Sequence, residues 1–269
     1  MTSAVTSILA TEAPLNSPFE VPPVGELFDF EPILFEGTAF QITRVQVILL
    51  FGVLFLIAFF VFALRKKSVV PSKIQLIAES VVGFVREQIA LQMMGKQGER
   101  FVPFLTTLFV FVLVMNWFEI LPFVNFPPTS KTAIPIVLAA IVYLTFLFLG
   151  FRHQGWRFPL NMAFPPGVPK PLYIMVAPIE FVSWFFVQPI TLTVRLFANL
   201  FAGHILLVIV FLVINSFLLA GLRQFPVGLF GLIAAPVAIA FEMLVGVLQA
   251  YIIAVLAAFY FNMSLSKEH

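Results

Sequence analysis

The chain has no cysteine and little charge: Lys, Arg, Asp and Glu together make up 10% of its 269 residues. Without thiols there are no disulfides, thiolate metal sites or thiol redox relays. With 61% hydrophobic residues and a mean hydropathy of +1.06, polar surface is too scarce to cover a water-soluble domain. Lipid is the solvent for most of this chain. Strand-like alternation is also missing, because the apolar runs are continuous and rich in Leu, Phe, Val and Ala. That excludes a membrane barrel, whose signature is alternating segments of about ten residues. The expected fold class is an all-α polytopic membrane protein.

Catalytic signatures are lacking as well. There is no GxxxxGK[ST] phosphate loop and no HExxH motif, and His153, His204 and His269 are too scattered for a metal site. No cofactor, metal, enzymatic bond chemistry or nucleic-acid partner is expected. Residues 1–43 lack Lys and Arg but carry Glu12, Glu20, Glu26, Asp29, Glu31 and Glu36. A secretory leader needs a basic start before its apolar core, so this segment reads as an irregular acidic tail.

Beyond the tail, residues 44–269 read as one membrane domain. The first span is expected at 45–64, about 30 Å of helix, and Arg65, Lys66 and Lys67 follow it directly. Basic residues next to a span stay on the cytoplasmic side, which puts the N-terminus outside and the C-terminus inside. Residues 72–98 place apolar side chains at helical spacing among Lys73, Glu79, Arg86, Glu87 and Lys96, the pattern of an amphipathic helix on the inner surface. Further spans are expected at 101–121 and 136–151, followed by a Pro-rich stretch at 159–171. Two longer apolar segments, 172–219 and 226–263, exceed what a bilayer requires and must tilt or break, with Pro178, Pro189 and Pro236 as candidate kinks. Five spans satisfy the charge pattern. Arg65, Lys66, Lys67, Lys73, Arg86, Lys96, Arg100, Arg152, Arg157, Lys170 and Lys267 fall inside, while Arg44, Lys131 and Arg223 fall outside.

Arg195 falls within the membrane. Its guanidinium stays protonated, and insertion of Arg at a helix centre costs about 2.5–3.5 kcal/mol. An ionisable group at that depth marks an ion pathway more often than a snorkelling anchor. Gln188, Thr191, Arg195 and Asn199 recur at helical spacing and share a face bordered by Ala198 and Ala202; polar glue between packed helices is the competing reading for Gln188 and Thr191. Glu242, Gly246 and Gln249 share a face of the last segment in the same way. Folded as an antiparallel hairpin with its tip near residue 222, the two segments set Arg195 level with Gln249 and His204 close to the depth of Glu242. A histidine and a buried carboxyl beside water can exchange protons near neutral pH. Asn116 and Glu119, at the end of the 101–121 span, either extend an outer inlet or anchor the interface beside Trp117. Glu180 and Ser183 either line an inner exit or are interfacial polar groups.

The segments PITLTVRLFANLFAGH and FEMLVGVLQAYIIAVL resemble the two signature segments of subunit a of F-type ATP synthases, and the resemblance runs from about residue 45 to the end. It implies that Arg195 faces a rotating ring of c subunits and prevents a proton short circuit, and that Asn199 and Gln249 are the family's matching amides. It also implies an acid and base pair on the outer half-channel, here His204 and Glu242. The implied partners are the c-ring, the peripheral-stalk b subunits and the rest of the F1F0 complex in a lipid bilayer. The implied place is a bacterial plasma membrane. A secondary ion transporter is the alternative, but it is expected to carry internal repeats, and the RLFAN region has no second copy. An intramembrane protease requires paired Asp or a Ser and His dyad, and no span contains Asp.

Overall fold

The computed structural model describes residues 32–34, 42–65, 72–118, 120, 133–164, 170–219 and 225–265. The acidic tail before residue 32, Glu119 and the tip of the last hairpin lie outside them. Almost everything described is helical, as expected. The exception is a short antiparallel ribbon of β1 (Pro32–Leu34) and β2 (Ile42–Thr43), which pairs Pro32 with Thr43 and Leu34 with Ile42.

β2 leads directly into α1 (Arg44–Leu64). Leu50, Phe51, Leu54, Phe55, Ile57, Val61 and Phe62 are exposed along it. Gly52 and Ala63 are buried, Gly52 lying under Met115 and Phe118 so closely that a Cβ there would overlap both. α1 is therefore a peripheral helix that faces lipid over most of its circumference.

The 72–98 segment is less regular than one amphipathic helix. Ser72 caps α2 (Lys73–Phe84) by accepting from the Gln75 N–H at 3.3 Å. The chain then widens into a π-helical turn at Val85–Leu91, passes through the short α3 (Gln92–Met94), and tightens into a 3-10 turn at Gly95–Phe101. Gly95 sits at φ +58, a conformation that glycine adopts without steric cost. Gly98 rests against the Ala90 carbonyl, where a Cβ would clash with backbone. Arg86 and Glu99 join the two turns through a 2.6 Å ion pair. Val85, Ile89 and Ala90 are fully buried, so this segment is packed into the bundle at one end as well as lying along it.

α4 (Val102–Trp117) is shorter than the expected 101–121 span, and α5 (Ala133–Gln154) is longer than 136–151. After α6 (Phe158–Ala163) the chain reaches α7 (Tyr173–Val182), a second π-helical turn at Ser183–Val187 and α8 (Gln188–Leu219). α9 (Phe225–Leu265) then returns antiparallel to α8. Helix continues through Pro178 and Pro236. Pro189 has no N–H for the carbonyl four residues before it, Phe185. Tyr143 on α5 repairs this defect, donating its hydroxyl to that carbonyl at 3.1 Å. In hydrocarbon an unpaired backbone group is expensive, so this bond ties the π turn to the bundle.

α9 is the hub, packed against α4, α5 and α8. Ala250, Ala254, Ala257 and Ala258 are completely buried on it, because small side chains let neighbouring backbones approach where lipid supplies no hydrophobic drive between helices. Phe146, Phe158 and Phe261 are fully buried in the same core cluster. Among the described residues, five helical stretches are long and apolar enough to cross a bilayer: Gln46–Ala63, Lys73–Trp117, Ile134–Ala163, Tyr173–Ile214 and Val227–Leu265.

Tyr143→Phe keeps the ring and removes the donor. It is expected to cost about 1–3 kcal/mol, the penalty for a newly orphaned buried carbonyl, read as a lower thermal midpoint of the detergent-solubilised protein. An unchanged midpoint would mean that the Phe185 carbonyl finds another partner.

Candidate proton-pathway site

The α8–α9 hairpin keeps the register that its composition suggests. Gly231 lies against Val213 and Ile214, Gly203 against Glu242, and Trp184 against Tyr260. Each pair is roughly equidistant from residue 222.

The layer of the site nearer the hairpin tip is built on two glycines. The Glu242 carboxyl rests on Gly203 so closely that a Cβ there would overlap it, which places the acid beside the residue that precedes His204. His204 and Glu242 are 7% and 5% exposed, and each has an interaction partner in the fold. One turn along α9, Gly246 admits the end of α4. Asn116 Nδ2 donates to the Gly246 carbonyl at 3.3 Å, and Trp117 Nε1 donates to the Met243 carbonyl at 3.4 Å. Asn116 is thus buried against α9 in the layer of Glu242 and Gln249, and both Asn116 and Trp117 also clamp α4 to the hub.

Arg195 differs from this layer: its side chain is exposed on the flank of α8. Thr191, Val194, Ala198, Ala202 and Leu206 are exposed along the same flank, a continuous strip that no described element covers. Among the described residues, no carboxylate pairs with the guanidinium. The expected shared face of Gln188, Thr191, Arg195 and Asn199 is split. Thr191 and Arg195 point outward, whereas Gln188 and Asn199 are half-buried towards the bundle. The reason is angular, because these four positions drift around the helix and straddle the edge where α9 packs.

Further from the hairpin tip, Tyr260 donates its hydroxyl to Gln188 Oε1 at 2.7 Å, and Trp184 Nε1 donates to Glu180 Oε2 at 3.0 Å. Ser183, half-buried, opens the π turn beside them. Tyr260 was not among the residues expected from sequence. Its signal was present, since it lies about three turns after Gln249 and a tyrosine inside an apolar helix requires a partner for its hydroxyl.

Asn116 Oδ1, Asn199 Nδ2 and Gln249 Nε2 are buried without a hydrogen-bond partner. Such amide atoms cost about 1–3 kcal/mol each unless something polar reaches them. They lie on α4, α8 and α9 respectively, so three different helices carry buried polar atoms without a partner.

These features define a polytopic helical membrane protein with a cation on an open flank of a spanning-length helix and a buried acid and base further along the same hairpin. Comparison with known sequences agrees. Residues 45–262 match the family described as ATP synthase A chain. ATP synthase subunit a of Rhodococcus erythropolis is 39% identical over all of this chain and 96% of its own length. The Parafrankia protein of the same name is 40% identical over 90% of this chain and 80% of its own, and that of Methylobacterium is 38% identical over 93% and 96%. The chain belongs to the ATP synthase subunit a family.

Gly203→Ala is expected to overpack the Glu242 seat and destabilise the protein by about 1–3 kcal/mol. Adding Glu242→Ala should recover most of that loss by removing the clashing group. If the single and double variants are equally unstable, the carboxyl does not sit on Gly203.

Proposed function

We propose that this chain is the proton-conducting stator subunit of an F-type ATP synthase, with Arg195 facing the c-subunit ring and two water-filled half-channels offset across it. The observation that carries this reading is the position of Arg195, which is charged at every physiological pH, exposed on a flank, and without a carboxylate partner among the described residues. A transporter site would enclose its charge between its own helices. This charge faces outward, and the small side chains of Ala198 and Ala202 in the same exposed strip allow another helix to approach closely.

The outer half-channel uses His204, Glu242, Asn116, Asn199 and Gln249, with Glu119 at its mouth. The buried amide atoms of this group favour water in the same space, because water would satisfy them. His204 and Glu242 pass the proton to a carboxylate on the ring. Neutral once protonated, that carboxyl can travel through lipid at little electrostatic cost. When rotation brings it back towards Arg195, the guanidinium favours its ionised form. The proton then leaves along the inner path lined by Gln188, Thr191, Ser183 and Glu180. The same fixed cation repels any proton moving straight from one half-channel to the other, so flow is forced through rotation. The chain supplies no bond chemistry and needs no cofactor.

In this reading the peripheral-stalk b subunits hold the chain against the ring within the F1F0 complex. The membrane is the bacterial plasma membrane, with the acidic N-terminus outside and the C-terminus in the cytoplasm, as the basic flanks of the spans favour.

Arg195→Ala is expected to abolish ATP-driven proton pumping in inverted membrane vesicles while the complex still assembles, as judged by co-extraction of the c-ring in mild detergent. Normal pumping in an assembled Arg195→Ala complex would refute the stator reading.

A further inference from the structure

No residue of α7 is buried, so this helix gives the half-buried Glu180 carboxyl little to rest on. What reaches that carboxyl is an indole. Trp184 Nε1 donates to Glu180 Oε2 at 3.0 Å, and among the described residues no cation pairs with the acid. The indole is held far more firmly than the acid. Its ring stacks on Phe146 of α5 and Phe259 of α9, with centroids 6.2 Å away in both cases and interplanar angles of 25° and 24°, and it meets Tyr260 nearly edge-on at 6.2 Å. The π-helical turn that carries it, Ser183–Val187, is tied to α5 by the Tyr143 hydroxyl on the Phe185 carbonyl at 3.1 Å. Trp184 therefore belongs to the packed bundle, and the Glu180 carboxyl is attached to that bundle through Trp184.

The chemistry of this contact is specific. An indole N–H is a donor with no acceptor capacity, so it bonds a carboxyl oxygen that carries no proton. Such an oxygen exists in both states of the acid, as the carbonyl oxygen when Glu180 is protonated and as one of two equivalent oxygens when it is not. With Oε2 committed to Trp184, Oε1 is the oxygen at which a proton binds and leaves, and the carboxyl need not turn between the two states. A cation in place of the indole would favour the ionised state alone. A hydroxyl, being donor and acceptor at once, would let the carboxyl reverse.

We propose that Trp184 is a positioning residue for Glu180: its indole N–H holds Oε2 through both protonation states and leaves Oε1 as the single point of proton exchange. The inference rests on the stator reading above, in which Glu180 lines the inner path, and adds to it the residue that orients this acid.

The test is ATP-driven proton pumping by the whole complex in inverted vesicles carrying Trp184→Phe, Trp184→Gln, Glu180→Gln or Arg195→Ala, with assembly followed by co-extraction of the c-ring. Trp184→Phe keeps an aromatic ring among Phe146, Phe259 and Tyr260 and removes the donor. Its pumping is expected to fall about fivefold, the effect of one lost hydrogen bond. Trp184→Gln does the opposite, giving up the stacked ring and keeping an N–H four residues from the acid. That spacing suffices for a glutamine, since Gln75 Nε2 donates to Glu79 Oε1 at 2.7 Å and Gln92 Nε2 to Gln88 Oε1 at 3.0 Å. Positioning by donation predicts that Trp184→Gln pumps better than Trp184→Phe, whereas a packing role predicts the reverse. An equal or reversed order overturns the proposal, and so does wild-type pumping by Trp184→Phe. If either variant fails to assemble, Trp184→His and Trp184→Leu take the place of the pair, a ring with a donor against an apolar side chain without one, and equal or better pumping by Trp184→Leu overturns the proposal. The other two variants separate the levels of argument. Normal pumping by Arg195→Ala removes the stator reading itself, and normal pumping by Glu180→Gln removes Glu180 from the path and this inference with it. Loss in both with an unaffected Trp184→Phe removes only the role of Trp184.

Discussion

A guanidinium that cannot release its proton has to sit within a hydrocarbon slab, and among the described residues this chain gives it no counter-ion. Burial beside a carboxylate would be the cheaper arrangement for the isolated chain. Instead Arg195 is held on the flank of α8, and the packing behind it is dense enough to keep that helix in place. The alanines of α9 bring the neighbouring backbones close, the rings of Phe146, Trp184 and Tyr260 lock the inner half of the hairpin, and α4 and α5 close around the hub. Stability comes from the side that carries no charge.

Around that arrangement, polar groups are handled one by one. Tyr143 satisfies the carbonyl that Pro189 orphans, Gln188 receives the Tyr260 hydroxyl, and Trp184 holds Glu180. Ser264 donates to the carbonyl of Phe146 on a neighbouring helix. These bonds are spread along the half of the bundle away from the hairpin tip, where they rigidify it. Amide atoms of Asn116, Asn199 and Gln249 stay unmet, as does the Thr106 hydroxyl.

Much of this was legible in one dimension, for physical reasons. Lipid removes every structural option but helix or closed barrel, so hydropathy alone led to the helical class and to the approximate places of the apolar stretches. The hairpin register followed from a short loop between two long helices, since residues equally far from the tip must lie at similar depth. That is why Gly203 beside His204 meets Glu242. The polar face of α8 was less legible. Helical spacing puts Gln188, Thr191, Arg195 and Asn199 near one another, but which of them are covered depends on the angle at which α9 packs. Tyr260 and Tyr143 escaped notice because an isolated tyrosine in an apolar run names no partner. The 72–98 segment read as a single amphipathic helix, because periodicity does not register a π turn or the positive φ of Gly95.

By itself the sequence determined the solvent, the helical class, the depth of Arg195 along its helix and the pairing of acid and base layers, because each depends on composition or on distance along a regular helix. Only the tertiary structure decided which way those groups face. Exposure of Arg195, burial of Glu242 on Gly203, the clamp of Asn116 on Gly246 and the link from Tyr260 to Gln188 all arise from rotation and contact between helices. Those rotations are set by the whole packed bundle, and no local pattern along the chain encodes them.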